Sequence, residues 1–112
     1  MSLYTVKRFC PVTTLTTSAV TLYTVTNPVT NGVIKQIAVS NYSASAATVT
    51  VHFVQNGGSV GNGNIIVPAV SISANSTITL DLTQVLNAGD FIAALASANS
   101  ALNISISGYE VQ

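Results

Sequence analysis

Val33 to Asn56 reads VIKQIAVSNYSASAATVTVHFVQN, two alternating apolar and polar runs on either side of a short link of serine, alanine and asparagine. The first run carries Val33, Ile37 and Val39 with Lys35 among them; the second sets Ala47, Val49, Val51 and Phe53 against Thr48, Thr50 and His52. A repeat of two turns successive side chains to opposite faces, so both runs read as strands that cover a core on one side. Tyr42-Ser43-Ala44-Ser45-Ala46 is too short for a crossover helix, and this predicts an antiparallel hairpin. Val33, Ile37, Val39, Val49, Val51 and Phe53 are then the expected inward face. Thr48, Thr50 and His52 form the outer one, open to another subunit.

The same reading extends in both directions. Val20, Leu22 or Tyr23, and Val25 form a strand within Ala19 to Thr26, closed by Asn27-Pro28, and Asn31-Gly32 turns it into the next, so these two are expected to pair. Four glycines in Gly57 to Gly63 predict a flexible connection without regular structure. No lysine follows them at the spacing of a phosphate-binding loop. Asn64 to Val67 reads as a short strand stopped by Pro68, Ser71 to Ser76 as a turn, and Thr77 to Leu82 as a strand whose Ile78, Leu80 and Leu82 share one face. Asn87-Ala88-Gly89-Asp90 is a tight turn into Phe91 and Ile92. Ala93-Ala94-Leu95-Ala96 has helical propensity, but the glycine at its start and the turn at Ser97 to Ser100 favour a strand. Ala101 to Val111 alternates Leu102, Ile104 and Ile106 with polar residues up to Gly108.

Seven or eight such strands in 112 residues define an all-β, antiparallel β-sandwich of jelly-roll type. An immunoglobulin-like sandwich is the alternative, although no Cys-Trp-Cys set supports it. Residues 19–112 form a single sandwich domain. Residues 1–18, with Tyr4, Val6, Phe9, Pro11 and a threonine cluster, form an N-terminal arm or an edge strand.

Composition narrows the function. Charged residues are 5% of the chain and hydrophobic ones 48%, while 14 threonines, 13 serines and 10 asparagines supply the polar surface. With a formal net charge of 0 there is no basic field for nucleic acid, and little repulsion keeps copies apart, so a homo-oligomer is expected. No apolar run is long enough to cross a membrane. Lys7 and Arg8 are followed by threonines in place of a signal-peptide core. The sequons at Asn41, Asn75 and Asn103 therefore read as products of composition.

Chemistry is sparsely provided. One histidine, one cysteine, two aspartates and one glutamate leave no catalytic, cofactor-binding or metal-ligating constellation. His52 reads as an exposed strand residue or an interface hydrogen-bonder, Cys10 as a small hydrophobe, Asp81 as a solvent-facing strand residue and Asp90 as a turn former. No enzyme is expected. A carbohydrate- or receptor-binding module remains the alternative function, since Tyr23, Tyr42 and Tyr109 accompany many amides, although a stacking tryptophan is missing.

Leu22-Tyr23-Thr24-Val25, Gly32-Val33-Ile34-Lys35-Gln36-Ile37, Val39-Ser40-Asn41 and Ala47-Thr48-Val49-Thr50-Val51 together resemble small virion structural proteins of tailed bacteriophages. The likeness continues at Ile72 to Leu80, Leu86 to Ile92 and Ile104 to Val111. It implies a capsid-decoration, head-tail or tail-associated sandwich, trimeric, located in the virion, that binds other virion proteins and catalyses nothing. Within that class Tyr4, Val6 and Phe9 lead as partner contacts, ahead of Tyr23, Tyr42 and Tyr109, because aromatic anchors give large contact area at low rotamer cost.

Overall fold

The computed structural model describes residues 4–112; the first three residues of the 1–18 segment lie outside them. Eight strands follow in order: β1 (Tyr4–Thr14), β2 (Val20–Thr24), β3 (Asn31–Asn41), β4 (Ala47–Val54), β5 (Ile65–Ile72), β6 (Thr77–Asn87), β7 (Phe91–Ala96) and β8 (Leu102–Val111). They form two four-stranded antiparallel sheets, sheet A in the order β1-β8-β3-β6 and sheet B in the order β2-β7-β4-β5. First pairs with last, second with seventh, third with sixth and fourth with fifth. The chain is thus one long hairpin rolled so that its pairs alternate between sheets. This is an eight-stranded jelly-roll sandwich, and its strand order excludes the immunoglobulin-like alternative.

That roll overturns two expected pairings. β3 and β4 are not a hairpin, because β3 lies between β8 and β6 in sheet A while β4 lies between β7 and β5 in sheet B. Nor does β2 pair with β3; its partner is β7. A short link fixes only the distance between two strand ends, and Tyr42 to Ala46 spans the gap between sheets instead of reversing within one. Asn41 builds the corner. It is 1% exposed, donates from Nδ2 to the carbonyls of Ser45 and Ile72 at 2.9 Å each, and accepts at Oδ1 from the Ser43 amide and hydroxyl. A buried amide with every polar atom engaged stabilises the bend and costs little desolvation.

The core lies between the sheets. Ile37, Val39, Leu102, Ile104 and Ile106 come from sheet A and Val49, Val51, Ile92, Ala94 and Ala96 from sheet B, all at 1% exposure or less. Burying each of the larger side chains contributes about 1.5–3 kcal/mol. Phe53 packs half-buried against this cluster. Val33 departs from the expected inward face. A register shift between Ile34 and Gln36, at Lys35, turns Ile34 and Ile37 inward together. Val33 then falls on the outer face of sheet A, aligned with Tyr109 and Val85.

Several boundaries also move. β5 runs through Pro68 to Ile72 rather than stopping at the proline, which is tolerated because β5 is an edge strand with register shifts against β4. Ser71 and Ile72 belong to that strand, so the following turn is shorter than expected. β6 continues beyond Leu82 to Asn87. Ala93 to Ala96 lies in β7, in the interior of sheet B, as the flanking turns predicted. The glycine-rich connection does join two antiparallel neighbours, β4 and β5, yet it is not without regular structure. Asn62–Asn64 makes a single 3-10 turn.

Candidate interaction surface

The outer face of sheet A carries one line of side chains across all four strands. Val6 of β1 is in register with Tyr109 of β8, Tyr109 with Val33 of β3, and Val33 with Val85 of β6. Directly opposed residues share a face, with Cβ atoms roughly 5 Å apart, so the four form an apolar band. Its ends are open. Val6 is 92% exposed and Val85 57%, whereas Val33, in the middle, is buried. Tyr4, 70% exposed, meets Tyr109 edge-to-face with ring centroids 5.9 Å apart. Tyr4, Val6 and Tyr109 line a shallow depression of about 430 Å³.

The next line along the sheet is polar, Arg8, Ser107, Gln36 and Asp81 in register. The band thus has a hydrophilic border on that side, while on the other the line Tyr4, Val111, Asn31 and Asn87 runs from apolar to polar.

The structure divides the sequence-derived contact residues. Tyr4, Val6 and Tyr109 come together in this patch. Tyr42 is exposed but lies in the inter-sheet link. Phe9, 5% exposed, is a correction: the register shift between Arg8 and Cys10 leaves it without a cross-strand partner and turns its ring inward over Gly108. A Cβ at Gly108 would strike the Val33 carbonyl oxygen and the Phe9 ring, so glycine there admits both.

Tyr23 also faces inward. Its ring packs edge-to-face on Phe9 at 4.4 Å, and its hydroxyl donates to Glu110 at 2.6 Å, joining the two sheets. Burial first, then the hydrogen bond and charge of Glu110, push this hydroxyl well above the ordinary tyrosine range.

His52 is the remaining correction. It lies on the outer face of sheet B, yet it is 4% exposed because the chain between β4 and β5 folds over it. Nδ1 donates to Asn64 Oδ1 at 2.7 Å, with the Gly61 carbonyl at 3.2 Å. Both partners accept, so Nδ1 carries the proton. Asn64 Nδ2 in turn donates to the Ser59 carbonyl. Val54, beside Gly58, and Ala93, in register with His52, are likewise buried outside the central core.

No catalytic constellation assembles from the remaining candidates. Asp90 accepts from the amides of Asn56 and Asn87, both at 2.9 Å, and clasps two turns. Asp81 accepts from Gln36 in mid-strand, roughly 20 Å of strand away from Asn87. Cys10 is buried. Among the described residues no group of three or more His, Cys, Asp or Glu could hold a metal ion, and no helix is long and apolar enough to cross a membrane.

Val85 and Glu110 were missed in the sequence. Val85 was legible there, because alternation through β6 puts it in phase with Thr79, Asp81 and Thr83 and out of phase with Leu82. Glu110 gave no local sign, since its partner is 87 residues distant.

The fold has a counterpart among solved structures. A chain in a structure of infectious bursal disease virus, Gx strain, matches 98% of this chain with a TM-score of 0.58 at 7% sequence identity. This chain spans 32% of that one. At such identity the likeness is one of fold. No protein-family model matches the sequence, and no curated protein does.

Proposed function

We propose that this chain is a non-enzymatic structural protein of a virus particle, of the tailed-bacteriophage kind that its sequence resembles. It binds capsid or tail proteins through the Val6-Tyr109-Val33-Val85 band and associates with copies of itself. The observation that carries this reading is the band: four in-register apolar side chains with exposed ends, on a protein with 5% charged residues. The fold shared with a chain of a virus structure supports the setting.

Antibody labelling of purified virus particles tests it, together with co-sedimentation of the purified protein with those particles. Label on intact virions, and co-sedimentation lost in Val6→Asp, are expected. Absence from particles combined with selective retention on a glycan array would overturn the reading in favour of a carbohydrate-binding module.

A further inference from the structure

The four edge strands of the sandwich are unequal. β1 carries Lys7, Arg8 and Pro11 and two register shifts against β8. β2 is only five residues long, and β5 contains Pro68 followed by Ala69 at φ 45°. These are the devices by which edge strands avoid pairing with other chains. β6 has one of them, a single register shift against β3 that sets Leu82 and Thr83 opposite Lys35, and lacks the rest. Its eleven residues, TITLDLTQVLN, contain no proline, glycine, lysine or arginine, and exposed and less exposed side chains alternate along its whole length. β3 flanks it on one side, and among the described residues no strand flanks the other. Ile78, Leu80 and Leu82 point inward and yet remain half-buried, so the sandwich is open along this flank.

We infer that β6 pairs antiparallel with β6 of a second copy about a two-fold axis at Leu82, joining two four-stranded sheets into one of eight. The inference rests on the self-association in the reading above, and not on the virion setting. Leu82 is the midpoint of Thr77–Asn87, so this axis alone pairs all eleven residues, an edge of roughly 35 Å. It also sets the charges well. Asp81 falls opposite the second copy's Thr83, and Lys35 already donates to Thr83 at 2.9 Å in its own chain. Each Asp81 thereby reaches a Lys35 across the junction. Moving the axis one residue to Asp81 would oppose two carboxylates, which is unfavourable. On the inner face Leu82 meets Leu82, Ile78 meets Leu86 and Leu80 meets Gln84, closing the open flank mainly with apolar contact.

The experiment uses the full-length protein and reads solution mass by light scattering together with oxidative crosslinking. Leu82→Cys should give a disulfide-linked dimer under mild oxidation, since opposed Cβ atoms on the axis lie within bridging reach. Val12→Cys, exposed on the opposite edge, should not. Lys35→Glu and Asp81→Lys, both at exposed positions, should each weaken the dimer about tenfold, and the double variant should recover it. A monomer at every concentration, equal crosslinking by Val12→Cys, or a double variant no better than the singles overturns the inference. So does a trimer without the Leu82→Cys crosslink. A β6 dimer that never labels virions leaves this pairing intact and removes the virion reading; a monomer that binds particles does the reverse.

Discussion

The Tyr23 hydroxyl donates to the Glu110 carboxylate at 2.6 Å, joining β2 of one sheet to β8 of the other at the end of the sandwich where Phe9 also turns inward. Tyr23→Phe keeps the ring and removes the bond, leaving Glu110 half-buried without this donor. A loss of about 1 kcal/mol is expected after allowance for partial exposure, read as the shift in urea midpoint. The pH dependence follows from the raised pKa of Tyr23. In the unfolded chain a tyrosine releases its proton near pH ~10, whereas the folded state holds it to higher pH. The stabilisation is therefore complete below pH ~10 and is lost as pH rises beyond it. Thermal melts between pH 9 and 12 (roughly the window set by the reference value) should decline less steeply for Tyr23→Phe than for the wild type.

Asn41→Ala should be among the more damaging polar substitutions. It strips partners from the carbonyls of Ser45 and Ile72 and from Ser43, in a corner where the asparagine itself is buried. A loss of about 2–3 kcal/mol is expected, measured by denaturant unfolding. A change within about 0.5 kcal/mol, the ordinary range of surface substitutions, would show that the corner holds without it.

Asn64→Ala should release the cover over sheet B. It deletes the acceptor for His52 and the donor to Ser59 while leaving the central core untouched. Hydrogen exchange should rise through residues 57–64 and stay slow at Ile37, Val49 and Ile104. Uniform acceleration would instead mean that the loop is part of the global folding unit.

Val6→Asp tests the apolar band with little risk to the fold. The side chain is 92% exposed, so stability should stay within about 0.5 kcal/mol of wild type, while particle co-sedimentation falls. Unchanged co-sedimentation would remove the band as the contact surface.

Much of the strand content was legible because alternation is a local property. Thr77 to Leu82 and Ala101 to Val111 show their inner faces directly, and the turns around Ala93 to Ala96 outweighed its helical propensity. Pairing was less legible. Tyr42 to Ala46 has the length of a hairpin loop and equally of a bridge between sheets, and only the burial of Asn41 within the folded corner selects the bridge. The contact residues split for the same reason. Tyr4 and Val6 follow strand phase, but Phe9 leaves it where β1 shifts register, and Val33 changes face because of the irregularity at Lys35.

Side-chain period and composition alone make the chain a β-sandwich with an aliphatic interior and an almost uncharged exterior. Tertiary structure decided which strands are neighbours and which apolar residues remain outside. Those depend on contacts between residues far apart in the chain, as when Tyr109 of the last strand lies beside Val6 of the first and Val33 of the third. The glycine-rich stretch shows the same division: its composition predicted a connection, and the fold made it the cover that buries His52.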